Sequence, residues 1–364
     1  MSASPAPDKP ADAPPGAADP KGTHLVRELK HDRGKLACRF EPSGRYLFAS
    51  GLDYLVHRWD LADKSTEGKR EEFTSHESWV RAMDLFPNGQ ELVTGDYVGR
   101  LIVWPALAEK LTARLSFAAH EGSIRAVAVS PDGKWIASAG NDQTVRVWST
   151  ADGEKLLELG GHGCHVYHTA FHPDGTGLVS ADLKGVVRHW EFPSGKLLRQ
   201  MDAGLLYTYS EKYSVDCGGV PGMSFSADGS QLACTGATGE KGVAHSGNAR
   251  MVLLDWKSGK KLAELKPEKD DIATAWAVRF HPDGFIVASG GSRTGGYLWF
   301  WKPGQDVAFH TVTFKQRAPG FDMDLASDRK TLAVANHDGA IRLYEMSPAP
   351  LAPPGPEAKK KKAG

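Results

Sequence analysis

The chain has 364 residues, and its 44 Lys plus Arg balance 44 Asp plus Glu, so it carries no formal net charge. That balance gives no global attraction to nucleic acid or to an anionic membrane. Four scattered cysteines (Cys38, Cys164, Cys217, Cys234) cannot form a disulfide framework, and no apolar run approaches the roughly 18 residues of a membrane span. The expectation is a soluble, cytoplasmic protein in a reducing compartment.

The first 22 residues, "MSASPAPDKPADAPPGAADPKG", are rich in Pro and Ala and have no apolar segment of the kind a secretory leader needs. They read as a disordered tail, because nothing in them can bury a core. Self-similarity begins after them. A turn signature recurs as "PSG" at 42, "PNG" at 87, "PDG" at 131 and 173, "ADG" at 227, "PDG" at 282 and "SDR" at 327, with steps of 45, 44, 42, 54, 55 and 45. Seventeen residues after each of the first four stands a tryptophan: Trp59, Trp104, Trp148 and Trp190. Tyr344 stands seventeen after Ser327. Twenty-eight residues before each of those four tryptophans stands a histidine: His31, His76, His120 and His162.

Each unit alternates apolar and polar residues in short runs. In the third, "SIRAVAV" leads into a Pro-Asp-Gly turn, "KWIASAG" and "TVRVW" follow, and "EKLLELG" ends at the next histidine. Four short strands per unit with turn residues between them predict an all-β protein. The last segment, "SPAPLAPPGPEAKKKKAG", again reads as a solvated tail, including the lysines from Lys359 to Lys362.

A unit of 42 to 45 residues with four strands, a "PDG" turn, a recurrent His and a Trp closing the third strand resembles the WD-repeat family; one copy keeps the dipeptide itself, Trp59-Asp60. The resemblance spans roughly residues 23–346 and implies a seven-bladed β-propeller, each blade a radial four-stranded antiparallel sheet. The expected organisation is therefore a tail over residues 1–22, a propeller over 23–346 and a second tail over 347–364. The seventh unit lacks a fourth strand, because prolines follow Tyr344. "THLVRELK" at 23–30 matches the fourth-strand segment "EKLLELGG". The simplest closure has this N-terminal stretch supplying the outer strand of the last blade.

Ser138, Asp142 and His120 have the composition of a hydrolytic triad. The resemblance implies otherwise. In WD repeats the matching positions, here His120, Ser138, Asp142 and Trp148, form a buried hydrogen-bond network that gives each polar group a partner. The other units depart from it. Ala49 takes the Ser place in the first, Val98 the Asp place in the second and Lys184 the Asp place in the fourth, while Asp96 and Asp182 stand two residues earlier. On the sequence only the third unit is complete. Units five to seven lack the His, and in the fifth Leu254 takes the Trp place, with Trp256 nearby.

Three surplus segments fall in neighbouring units: "MDAGLLYTYSEKYSVDCGG", "TGATGEKGVAHSGNA" and "GSRTGGYL". Antiparallel blades put all three at one end of the ring. Long loops clustered on one face suggest a binding surface. The residues six before each turn signature, Leu36, Arg81, Arg125, Tyr167, Pro221, Trp276 and Phe321, should ring the channel mouth on that face, with Trp79 just ahead of Arg81. Arg, Tyr and Trp often anchor interfaces, and in the WD-repeat family such rim positions commonly meet peptides and protein partners. The expected partner contacts are Trp79, Arg81, Arg125, Tyr167, Trp276 and Phe321.

Other signals carry less. In "HGCHVYH" one histidine, His162, belongs to the repeat, and alternation sends His165 and His168 to opposite faces, so no metal site is expected. "GATGEKG" lacks the Lys-Ser/Thr pair of a phosphate loop. No basic patch accompanies Arg81 and Arg125, so nucleic acid is not the expected partner. The sequence thus predicts a monomeric, non-catalytic protein-interaction scaffold without cofactor. The competing expectations are an enzyme or small-ligand propeller with its site at the mouth, and a fragment of a larger multidomain protein.

Overall fold

The computed structural model describes residues 17–65, 68–109, 111–212, 214–239, 247–270, 272–292, 295–314 and 318–348. Both outer tails, with Lys359 to Lys362, and the tip of the "TGATGEKGVAHSGNA" segment lie outside the described residues. Among those described there is no α-helix, only strands and two short 3-10 turns.

The strands form seven four-stranded antiparallel blades. The regular third blade shows how sequence sets the pattern. Its strands Ile124–Val129, Trp135–Gly140, Val145–Ser149 and Lys155–Leu159 pair in order, so that Ile136 faces Trp148 and Ser138 faces Arg146 across the ladder. The two middle strands are buried on both faces, whereas the outer strand alternates toward solvent. The innermost strands of the seven blades, Lys35–Phe40, Val80–Leu85, Ile124–Val129, Val166–Phe171, Gly222–Phe225, Ile272–Phe280 and Gly320–Leu325, succeed one another around a channel, and the last lies beside the first.

Hydrophobic packing follows the same circle. Seven apolar clusters fill the seven seams between adjacent blades. The seam between the seventh and first blades holds Leu29, Cys38, Leu47, Trp59, Ala333, Ala335 and Ile341. A blade thus buries both faces only because it has two neighbours, which makes the closed ring the stable unit.

Closure comes from the N-terminal stretch. The strand Thr23–Leu29 pairs antiparallel with Ile341–Met346, aligning Leu29 with Ile341 and His24 with Glu345. Arg342 bonds Glu28 across the pair, its Nε lying 2.8 Å from Glu28 Oε2. The tail boundary drawn at residue 22 falls too late. Residues 17–22 extend the ladder: Asp19 N donates to Met346 O at 2.8 Å, Ala18 N to Asp283 Oδ2 at 2.9 Å, and Pro20–Gly22 forms a 3-10 turn against Ser347.

The three surplus segments are ordered strand extensions for most of their length. The first forms a 3-10 turn, Gly204–Leu206, and a hairpin, Tyr207–Ser210 with Val215–Gly218. Leu206 is fully buried in the seam between blades four and five. The second lengthens the middle strands of blade five to Gln231–Thr238 and Gly247–Asp255. Gly247 and Asn248 pair with Ala273 and Ile272, so blades five and six fuse into one eight-stranded sheet. The hairpin is tied to this extension by Gly239 N donating to Thr208 Oγ1 at 3.0 Å. A raised wall results along blades five and six.

Removal of residues 1–16 should leave the thermal midpoint unchanged. Removal of 1–30 should lower it by more than 10 °C, because the last blade loses its outer strand and one seam loses Leu29. A truncation at 23 should fall between. Circular dichroism melts of the three proteins check the order; equal midpoints would refute the closure.

Candidate functional site

His120, Ser138, Asp142 and Trp148 meet inside blade three. His120 Nδ1 lies 2.9 Å from Asp142 Oδ1, His120 Nε2 lies 2.8 Å from Ser138 Oγ, and Trp148 Nε1 donates to the same hydroxyl at 2.8 Å. With the imidazole neutral, Nδ1–H donates to the carboxylate, the serine O–H donates to Nε2, and the serine oxygen accepts from the indole. Every group is satisfied. Burial opposes ionisation of Asp142, but hydrogen bonds from His120, Thr144 and Glu121 N hold its carboxyl well below the usual range. Ser138 is fully buried, so no substrate can reach it.

Blades two and four complete the same network by another route, which corrects the reading that only the third unit is complete. His76 bridges Asp96 at 2.8 Å and Thr94 at 2.7 Å, and Trp104 Nε1 donates to Thr94 Oγ1 at 2.8 Å. His162 bridges Asp182 and Ser180, both at 2.8 Å, and Trp190 Nε1 donates to Ser180 Oγ at 2.9 Å. In each case the aspartate sits two residues closer to the strand, and its second oxygen caps the turn. Asp96 Oδ1 accepts from Val98 N and Arg100 N, and Asp182 Oδ1 from Lys184 N and Val186 N. The tighter turn needs Gly99 and Gly185 at positive φ, where a Cβ would lie 2.0 Å from His120 O and 2.4 Å from Ala203 O respectively.

Blade one uses a cation instead. Ala49 offers no hydroxyl, and Trp59 Nε1 has no partner among the described residues. Asp53 Oδ2 receives Lys35 Nζ and His57 Nε2, each at 2.6 Å, with His31 Nε2 at 3.5 Å. His31, Asp53 and His57 are close enough together to surround an ion, but the Lys35 ammonium already stands against their shared carboxylate. Burial brings the fully buried Lys35 down to about 8. Lys35 and His57 were missed because neither falls on a repeat position. In blades five, six and seven the Ser place holds Cys234, Ser289 and Val334, all fully buried; with no histidine beside it, the Ser289 hydroxyl has no hydrogen-bond partner among the described residues. Trp301 of blade six donates its indole to Lys266 O.

The expected mouth residues do gather at one end of the channel. Arg81, Arg125, Trp276 and Phe321 line a common cavity of about 60 Å³ with Leu36 and Pro221. The Arg125 guanidinium lies 4.9 Å from the Tyr167 ring centre and 5.7 Å from that of Tyr97, and the Arg81 guanidinium 5.9 Å from that of Trp276. Trp79 packs edge-on against Tyr97, and Trp276 against Phe321. Trp79 is 42% exposed, the others half-buried. Tyr97, in the turn of blade two, joins this cluster without being on the expected rim. Beyond the wall, on the opposite face, an unanticipated groove of about 740 Å³ runs between blades five and six past Leu262, Phe280, Pro282 and Ile286.

Deeper in the channel arginines are paired with carboxylates, unlike those of the rim. Arg39 Nη1 bonds Asp322 Oδ2 at 2.5 Å, and Arg279 Nε lies 3.4 Å from Asp324 Oδ1. These carboxylates also cross to neighbouring blades. Asp322 and Asp324 accept from Cys38 N and Phe40 N at 3.1 and 2.9 Å, and Asp84 from Val129 N at 2.9 Å. Each innermost strand is the free edge of its blade, so its outward N–H groups need acceptors. The aspartates supply them and hold blade to blade.

Family comparison agrees with this arrangement. The WD domain, G-beta repeat model matches residues 68–104, 111–149 and 153–191. The chain carries three WD repeats. The matched segments end at Trp104 and one residue past Trp148 and Trp190, so they cover the three networks built on His76, His120 and His162. It is 30% identical to the Protein LST8 homolog of Drosophila melanogaster over 128 residues, 33% of this chain and 37% of that protein. It is 25% identical to Transducin-like enhancer protein 2 of Mus musculus over 155 residues, 42% of this chain and 20% of that one. It is 36% identical to Small ribosomal subunit protein RACK1y of Oryza sativa subsp. japonica over 86 residues, 23% and 25% of the two chains. The chain thus spans well under half the length of these relatives.

Two predictions follow from the buried polar groups of this WD-repeat ring. Asp96→Ala, Asp142→Ala and Asp182→Ala should each cost about 3 kcal/mol, because each strands a buried histidine, whereas Val98→Ala should change stability by less than about 0.5 kcal/mol. Urea titrations measure both. The channel histidine His168 is held down to about 4 by burial, with Arg279 and Arg39 adding to the effect. The unfolded chain therefore takes up a proton near pH 6.5 that the native ring refuses until about pH 4, and stability falls as pH drops through that window. His168→Gln should remove up to about 2 kcal/mol of the decline between pH 7 and 4.5, read from urea midpoints at each pH.

Proposed function

We propose that this chain is a non-catalytic docking platform whose partner protein or peptide binds over the channel mouth, braced by the wall on blades five and six. The observation that carries the reading is the convergence of Trp79, Arg81, Tyr97, Arg125, Tyr167, Trp276 and Phe321 on one small mouth. These side chains are large, amphipathic and held in place by each other. Such groups form hot spots because little motion is lost when a partner covers them. The fused sheet beside them adds a surface that keeps its shape. The resemblance to other WD-repeat proteins supports the same role.

The free cysteines suit the cytoplasm, and we place the protein there as a single closed ring. No helix among the described residues is long and apolar enough to cross a membrane. The networks around Ser138, Thr94 and Ser180 serve the scaffold, with their hydroxyls fully buried.

Affinity capture with the wild type beside Arg81→Glu, Arg125→Glu and Trp276→Ala tests the reading. Partners held by the wild type should fall at least tenfold with each variant, while Asp132→Arg on the opposite face should keep them. Retention of every partner by all three mouth variants would place the interface elsewhere.

A further inference from the structure

The mouth is rich in donors and poor in acceptors. Among the described residues neither the Arg81 nor the Arg125 guanidinium lies within ion-pair distance of a carboxylate, although every arginine deeper in the channel, Arg39 and Arg279, has one. Arg125 spends one donor, Nε, on the neutral Asn141 Oδ1 at 2.7 Å. The indole N–H of Trp276 is buried and has no hydrogen-bond partner. All three residues line one cavity, and the two guanidiniums are cationic. A buried N–H without an acceptor costs stability, and two neighbouring cations repel each other. A folded ring that tolerates both has left a place for an incoming anion.

We propose that the channel mouth is a carboxylate receptor, taking an Asp or Glu side chain of the docked partner between Arg81, Arg125 and the indole of Trp276. The inference rests on the docking reading above and names the chemistry of its central contact. The cavity of about 60 Å³ holds roughly two waters' worth of volume, enough to admit a carboxylate group. Geometry agrees, because a guanidinium fork matches the two oxygens of a carboxylate. Phe321 lines the cavity, and the rings of Tyr97 and Tyr167 pack against the Arg125 guanidinium and hold it in place. The carboxylates lower down, Asp84, Asp322 and Asp324, are already engaged with Arg39, Arg279 and backbone N–H groups. They set a floor that turns the anion back at the mouth.

The probe is acetate, titrated at constant ionic strength against protein with nitrogen-15 in its indole groups. The Trp276 resonance is assigned by its absence in Trp276→Phe. A saturable displacement of that resonance is expected. Arg81→Gln with Arg125→Gln should abolish it. Arg125→Lys, which keeps the charge and loses the fork, should weaken it at least fivefold and serves if the double variant does not fold. No saturable displacement, or one that survives loss of both guanidiniums, would overturn the proposal. So would phosphate binding ten times more tightly than acetate. An acetate failure in a protein whose mouth variants still shed their partners would sink only the carboxylate receptor. A clean acetate effect with every partner retained by those variants would sink only the docking reading.

Discussion

The structure depends on one pairing, that of Thr23–Leu29 with Ile341–Met346. Each blade presents two apolar faces and is stable only between neighbours. A linear array of such blades would leave two faces bare. The ring removes them, and the closing blade is made from both ends of the chain. Hydrogen bonds in that ladder are no stronger than others. Their weight comes from what opening them would expose: the seam of Leu29, Trp59 and Ile341, and the free edge of Ile341–Met346. Arg342, buried against Glu28 and Asp338, fixes the register of the same pair.

Most buried polar groups inside the ring are paired on their own blade or the next, and the means vary; the indole of Trp59 and the hydroxyl of Ser289 have no partner among the described residues. Blades two, three and four use imidazole, hydroxyl and carboxylate. Blade one uses an ammonium. Blades five to seven lack the histidine; five and seven fill the Ser place with Cys234 and Val334, while six keeps the buried Ser289. The channel aspartates serve the innermost strands in the same way. Against this accounting the mouth stands out, because an unpaired indole lies there beside two guanidiniums that have no carboxylate partner among the described residues.

Much of the architecture was legible in the sequence because the repeat is periodic. Turn signatures, tryptophans and histidines at constant spacing fixed the blades, and one misplaced strand-like segment, "THLVRELK", fixed the closure. The gathering of Arg81, Arg125, Tyr167, Trp276 and Phe321 followed from position alone. Misses occurred where chemistry left the period. Asp96 and Asp182 looked out of place by two residues, yet a shorter turn with a glycine brings the same carboxylate to the same imidazole. Lys35 and His57 had no repeat position to mark them. Residues 17–22 looked like tail because backbone pairing, which carries no compositional sign, holds them. Tyr97 and the fusion of blades five and six depend on how turns fold back in space, which spacing does not report.

That fusion has a mechanical consequence. In most of the ring, adjacent blades touch through side chains and can slip slightly against one another. Where Gly247 and Asn248 pair with Ala273 and Ile272, backbone hydrogen bonds span the seam, and the two blades must move as one plate. Ring distortions are then shared among the remaining seams. The edge of the mouth carried by Trp276 belongs to the stiff plate, whereas Arg81 and Arg125 ride on blades free to breathe. The mouth works like a vice with one fixed jaw and one that yields.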